Sequence, residues 1–361
     1  MSLIRLEVEN FRNLHSAIIE PDEALNLITG ENAAGKTSLL EAIFYMSYAR
    51  SFRSSQLKHL ITHDFEYFRL MGNLAENNTR VGIERHIDSQ VIRVNKKTIH
   101  KTSELSALLP VLVLHPDSHQ LISSGPDHRR QFMDWGVFHV EHQFLHSWKK
   151  YKTSLSQRNA ALRMGQADKL CSLWNAELVE HARVIKDLRL KYLESIQIIT
   201  NELALELFPE HSIQLNYKRG WPGEVEYEDY LVTNLSKDRD KGFTQSGPHR
   251  ADVKILVDGQ TAQSSISRGQ QKKLVTLLKI AQLMLFSQSS SNKCVLLFDD
   301  LPAELDQDNQ NKIMSILSKL NIQLFITAID AQQINCEYWK QHKVFHVEHG
   351  KIVEKKSLKQ V

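Results

Sequence analysis

The stretch Gly30-Glu31-Asn32-Ala33-Ala34-Gly35-Lys36-Thr37-Ser38 constrains this chain more than any other. An apolar run, Ala24-Leu25-Asn26-Leu27-Ile28, leads into it, and a second, Leu39-Leu40-Glu41-Ala42-Ile43-Phe44, leads out of it. Gly30 to Thr37 fits G-x-x-x-x-G-K-[ST] between a strand and a helix, the setting a phosphate-binding loop requires. The glycines let successive backbone N–H groups turn inward, and the helix N-terminus adds its partial positive charge. Lys36 is then placed for the β- and γ-phosphates of ATP, and the Thr37 hydroxyl for Mg²⁺. A chain built around this loop is expected to be an α/β protein.

Val295-Leu296-Leu297-Phe298-Asp299-Asp300 supplies a second half for such a site. It reads as a buried strand ending in two carboxylates, with Asp299 beside the Mg²⁺ and Asp300 placed as a general base for an attacking water. Taken alone, the pair is equally a solvated turn after a strand. Beside the glycine-rich loop, the nucleotide reading is favoured, with Lys36 and Asp300 as the residues of hydrolysis. Most of the chain lies between Lys36 and Asp299, far more than a compact phosphate-loop enzyme needs. Pro209, Gly220, Pro222 and Gly223 break any long heptad pattern there, so the insert is a folded lobe and not a rod.

Periodicity gives the outline. Residues 1–30 alternate as strands, and three segments over 67–100 form an antiparallel meander. From 127 to 207 the pattern is helical, without proline between Pro126 and Pro209. Strands return at IQLNYKRGW, give way to an acidic loop (GEVEYEDY), and resume at ADVKILVDG. A helix then runs to about Ser287, and VLLFDD, IQLFITAI and KVFHVEHGKIVE read as two buried strands and a hairpin. The expected divisions are 1–110 and 211–361 as two halves of the nucleotide domain, with 111–210 as a helical lobe. The duplicated Phe138-His139-Val140-Glu141-His142 and Phe345-His346-Val347-Glu348-His349 lack the helix phasing of a zinc motif, so no metal is expected there.

The 361 residues contain no apolar window of membrane-spanning length, and the opening MSLIRLEVENFRN does not resemble a signal peptide, so a cytoplasmic protein without a membrane partner is expected. Cys171, Cys294 and Cys336 have no paired spacing and are read as reduced. The net charge of +3 is small, but ten Lys or Arg against five Asp or Glu fall between Gln143 and Ser195. Lys149, Lys150, Lys152, Arg158 and Arg163 share one helix there, as candidates for DNA phosphates or as a solvated face. Aromatic residues are sparse in this region, which favours duplex or junction DNA over stacked single strands.

Ser267-Arg268-Gly269-Gln270 resembles the LSGGQ-type signature of ABC ATPases, and Ala303-Glu304-Leu305-Asp306 resembles their D-loop. Over nearly its whole length the chain resembles the RecF family of bacterial recombination mediators. Asn10-Phe11-Arg12-Asn13, Pro116-Asp117, Gly125-Pro126, Arg129 to Gly136, Gln157 to Leu162, Ser246 to Asp252 and Ser267 to Gln271 carry the resemblance. It implies an ABC-type P-loop ATPase head, a mixed sheet with flanking helices and an antiparallel β subdomain, carrying an inserted α-helical lobe. It also implies a DNA-binding ATPase that dimerises on ATP and, with RecO and RecR, promotes RecA loading and the SOS response. Ser267, Gly269 and Gln270 would then cover the γ-phosphate of a partner's ATP. Arg12 and Asn13 would approach the nucleotide, unless they form a plain strand-end turn. Three departures stand out: Ser124 where the family pattern has glycine, Asp300 in place of glutamate, and Thr327-Ala328 where ABC heads carry a sensing histidine. Slow hydrolysis is the expectation. The alternatives are a transporter's nucleotide-binding subunit and a small-molecule kinase.

Overall fold

The structure, a computed structural model, describes residues 2–355. The chain opens with β1 (Leu3–Phe11), β2 (Leu14–Ile19), β3 (Leu25–Thr29) and α1 (Lys36–Tyr48). Next come β4 (Tyr67–Leu74), β5 (Thr79–His86), β6 (Gln90–Val94), β7 (Lys97–Ile99), α2 (Thr102–Leu108) and β8 (Val111–Leu114). Helices α3 (Gln120–Ser123), α4 (Pro126–Val140), α5 (His142–Arg163), α6 (Asp168–Ser172) and α7 (Asn175–Leu207) precede β9 (Ile213–Lys218), α8 (Tyr227–Thr233) and α9 (Leu235–Lys241). Then follow β10 (Asp252–Val257), β11 (Gln260–Thr261), α10 (Ala262–Ser265) and α11 (Arg268–Ser289). The remainder is β12 (Cys294–Phe298), α12 (Leu301–Glu304), α13 (Gln307–Ser318), β13 (Ile322–Ala328), β14 (Lys343–Glu348) and β15 (Lys351–Lys355).

Two units divide these elements, the first formed by Met1–Ser118 with Ser287–Val361 and the second by His119–Phe286. In the first, a mixed sheet runs β15-β14-β3-β13-β12-β8, parallel except for β15. Its β3, β12 and β13 are buried along their full lengths, as expected of parallel strands covered on both faces. An antiparallel sheet of order β2-β1-β4-β5-β6-β7 accounts for the opening alternation and the 67–100 meander. Helix α1 has every residue from Ser38 to Ser47 buried, because strands of both sheets flank it. Leu39, Leu40 and Ile43 are fully buried, each contributing about 1.5–3 kcal/mol. The helix that follows the phosphate loop is therefore firmly held within its unit.

The second unit joins a small antiparallel sheet, β11-β10-β9, to the helices of the lobe. Helix α7 buries Leu178, Ala182, Ile185, Arg189, Leu193, Ile196, Ile199 and Leu203, a stripe at helical spacing. Arg189 is fully buried and forks onto Asp134 of α4 with two contacts of 2.9 Å, donating also to the Pro248 carbonyl at 2.8 Å. Burial tends to raise the Asp134 carboxyl above its usual range, and the neighbouring Arg189 opposes that rise.

The sequence outline departs from this arrangement in three places. The division differs from the 1–110, 111–210, 211–361 segments: β8 lies in the first unit's mixed sheet beside β12, and residues 211–286 lie in the second unit. The last few residues of the third segment lie outside the described ones. The acidic stretch read as a loop forms α8, because Tyr227 and Leu231 reach the core and Glu228 and Asp229 favour a helix N-terminus. Helix α13 went unread; Asp306 caps it by accepting the Asn309 N–H at 2.9 Å. The first FHVEH copy ends α4 and the second lies on β14 and its turn, and no metal-holding cluster occurs among the described residues.

Candidate nucleotide site and signature helix

Strand β3 delivers the chain to Gly30, whose φ of 145° opens the loop, and Gly35 at φ 123° closes it into α1. A Cβ on Gly30 would sit 2.2 Å from the Val347 carbonyl oxygen, so the loop lies directly against β14. The β14–β15 turn completes that wall: the Gly350 N–H donates to the Ala34 carbonyl at 3.0 Å, and a Cβ on Gly350 would meet the Asn13 carbonyl at 2.0 Å. Asn13 closes the other side. Its amide donates to the Ala33 and Ala34 carbonyls at 3.3 and 3.2 Å and its oxygen accepts from Ser38 Oγ at 2.8 Å. Glu31, Asn32 and Ala33 form the exposed tip. Arg12 is committed elsewhere, donating to both carboxylate oxygens of the buried Glu41 at 2.8 and 2.7 Å.

At the loop mouth the Lys36 ammonium donates to the Gly30 and Glu31 carbonyls at 2.7 and 3.0 Å. Thr37 Oγ1 stands 3.0 and 3.1 Å from the two oxygens of Asp299, which lies 262 positions further along the chain. Asp299 is fixed from behind, since its N–H donates to the Leu114 carbonyl of β8 at 2.8 Å and Thr327 Oγ1 donates to its Oδ1 at 2.8 Å. Burial raises the Asp299 carboxyl above its usual range, against the pull of the Thr327 and Thr37 hydroxyls. The adjacent hydroxyl and carboxylate form a hard oxygen pair of the kind Mg²⁺ takes alongside phosphate oxygens. Asp300 adopts a left-handed conformation, φ 58° and ψ 51°, at the start of α12.

These residues line a cavity of about 780 Å³. Arg12, Asn13, Asn32, Lys36, Thr37, Asp299 and Asp300 all line it, together with Thr327. Phe52, Arg53, His59 and His115 also line it and were missed, as does Asp117, which the sequence marked only through the family resemblance. Arg53 is close enough for its charge to favour ionised Asp299. No spacing rule ties the loop after α1 to the strand that ends in Asp299, which is why the sequence was silent.

The signature residues begin α11 in the second unit. Ser267 and Gln270 form a reciprocal cap: the Gln270 N–H donates to Ser267 Oγ at 3.3 Å, and the Ser267 N–H donates to Gln270 Oε1 at 2.9 Å. Gly269 has no left-handed conformation, and a Cβ there would meet nothing within 4 Å among the described residues. Ser124 has φ −102° and ψ −177°, extended backbone open to any residue, so that departure needs no altered turn.

Lys149, Lys150 and Lys152 are exposed on α5, with Lys150 3.8 Å from Glu177. Arg158, expected to touch DNA, does not reach the surface. Its side chain is 0% exposed, donates to Asp238 at 2.7 Å and Thr244 at 2.6 Å, and binds Asn175 at 3.1 Å. Helical phasing turns position 158 inward while 149 and 152 point out.

The model of the RecF/RecN/SMC N terminal domain matches residues 2–353. The chain is 36% identical to the DNA replication and repair protein RecF of Shewanella piezotolerans, covering 98% of this chain and 99% of that protein. It is 39% identical to the RecF protein of Cellvibrio japonicus at the same coverage. A solved structure of the recombination mediator protein RecF with ATP, in the RecFOR pathway, superposes with a TM-score of 0.85 at 28% identity, covering 98% of each chain. An Smc head bound to a ScpA domain shares the fold, with a TM-score of 0.61 at 15% identity over 99% of this chain and 98% of that one. Matched by the family model and by RecF proteins along almost its entire length, the chain belongs to the RecF family of DNA replication and repair proteins.

Proposed function

We propose that this chain is an ATP-gated, DNA-binding recombination mediator that works as a dimer. The observation that carries this reading is the meeting of Thr37 and Asp299 at the mouth of the phosphate loop, across 262 positions of sequence. ATP binds along Gly30 to Ser38 with its β- and γ-phosphates at Lys36, and Mg²⁺ is held by Thr37 and Asp299. Arg12 and Asn13 act by shaping the wall of this site, Arg12 through Glu41 and Asn13 through the loop carbonyls.

The signature helix serves the other copy. Ser267, Gly269 and Gln270 cap the γ-phosphate of the partner's ATP. Gly269 supports this, because neither its own backbone conformation nor its own chain's packing calls for glycine, whereas a phosphate approaching a helix N-terminus does. The Ser267 hydroxyl accepts within its cap and keeps its proton to donate. Asp300 is the general base for a slow hydrolysis that times release from DNA. Its shorter side chain and the absence of a sensing histidine at Thr327-Ala328 support a low rate, and turnover of hundreds per second contradicts it.

Lys149, Lys150 and Lys152 contact the phosphates of duplex, gapped or junction DNA, in cooperation with RecO and RecR. The expected site of action is the cytoplasm, and no described helix is long and apolar enough to cross a membrane. Nucleotide binding measured for wild type and Lys36→Ala tests the reading at its base. Loss of ATP affinity in the variant with an unchanged melting curve is expected, and undiminished affinity overturns it.

A further inference from the structure

The signature helix start is braced by residues that no motif marks. His211, in the connection between α7 and β9, places its Nε2 3.3 Å from the Gln270 Nε2. Its Nδ1 lies 2.7 Å from Asp258 Oδ2 in the β10–β11 turn. Asp258 Oδ1 accepts in turn from the Ser212 N–H at 2.9 Å and from Ser212 Oγ at 3.2 Å. These contacts hold the Asp258 carboxyl below its usual range.

Hydrogen-bond chemistry gives this chain one consistent direction. Gln270 Oε1 already accepts from the Ser267 N–H, so its NH₂ group faces His211 and can only donate. The His211 Nε2 must then be the accepting nitrogen, which leaves the ring proton on Nδ1, donated to Asp258. Asp258 fixes the tautomer of His211, His211 fixes which way the Gln270 amide points, and Gln270 fixes the cap on Ser267. Turning the amide over would present its NH₂ to the Ser267 N–H and lose the reciprocal cap.

We propose that His211, oriented by Asp258, is a positioning residue for the signature motif, holding Ser267 and Gln270 in the geometry that engages the γ-phosphate of a partner's ATP. This rests on the reading of the signature as a cover for the second copy's nucleotide. His211 touches no substrate; it acts through Gln270, and its ring also packs against Phe208 at 4.7 Å.

Sedimentation with and without Mg·ATP tests it, using wild type, His211→Phe and His211→Gln, with ATP affinity and thermal melting measured alongside. The His211 side chain is 22% exposed and packs on Phe208, so the melting curves report any loss of fold in these variants. His211→Phe is expected to weaken the ATP-dependent dimer about tenfold, the worth of one well-placed hydrogen bond, with ATP affinity unchanged. His211→Gln is expected to restore it, because an amide can accept from Gln270 and donate to Asp258. In a Gln270→Met background, His211→Phe should add no further weakening, which separates positioning from a general loss of packing. Wild-type dimerisation by His211→Phe, no rescue by His211→Gln, or an undiminished effect without Gln270 overturns the proposal. If wild type itself forms no ATP-dependent dimer, the reading of the signature fails and this inference falls with it.

Discussion

Thr327 Oγ1 donates to Asp299 Oδ1 at 2.8 Å and accepts the N–H of Asp300 at 2.7 Å, so one buried hydroxyl holds both carboxylate residues at the end of β12. Here the strand offers a brace from below the acidic pair.

Thr327→Val keeps the shape and removes the hydroxyl, leaving the buried Asp299 with one donor fewer and the Asp300 N–H without its acceptor. A loss of about 1–3 kcal/mol in denaturant unfolding is expected, together with weaker Mg·ATP binding. Thr327→Ser should recover most of both. A Thr327→Val protein with wild-type stability and affinity would remove the bracing role.

The cations of α5 divide into two groups with opposite signatures. Arg158 and Asp238 are both buried and paired at 2.7 Å, so Arg158→Ala strands a carboxylate in the interior and should cost about 3–5 kcal/mol. Replacing Lys149, Lys150 and Lys152 with alanine should leave the melting temperature within a few degrees. If all three meet phosphates, the slope of log affinity against log salt falls by roughly 2–3 for duplex DNA. An unchanged slope in the triple variant removes these lysines from the DNA surface.

Two histidines of the second unit set a pH dependence. Burial pushes His139 and His249 down to about 4 from the ordinary 6.5. His249 is held neutral between Tyr151 at 2.7 Å and the Thr244 carbonyl at 3.1 Å, while His139 packs among Trp135, Phe138 and Phe286. Between pH 6.5 and 4 the unfolded chain binds the protons that the folded chain refuses. The stability these groups contribute is whole above pH 6.5 and falls as pH drops, by about 1.4 kcal/mol per pH unit for each histidine. Melting curves should show that loss in wild type and a smaller one in His249→Gln. Equal slopes for the two proteins would contradict the assignment.

What the sequence disclosed follows the range of its signals. The phosphate loop, the acidic strand and the meander are local patterns, read from periodicity and spacing, and the structure has each of them. What escaped depends on contacts between distant residues. Strand β8 is four residues with no alternation, and only its pairing with β12 shows that it positions Asp299. The Gly350 turn was read as a plain hairpin end, although it packs on the loop through Asn13 and Ala34. Arg158 was counted with its exposed neighbours because composition sums charges without regard to helical phase. Arg53 and His211 belong to connections whose spacing carries no rule, so only the folded chain shows what they face.

The central claim is that the signature of one copy completes the ATP site of another. Sedimentation of wild type, Lys36→Ala and Ser267→Arg, each with and without Mg·ATP, tests it most directly. Dimers are predicted for wild type with Mg·ATP alone, with Ser267→Arg binding ATP at wild-type affinity yet remaining monomeric. ATP-dependent dimers formed by Ser267→Arg as readily as by wild type would contradict it.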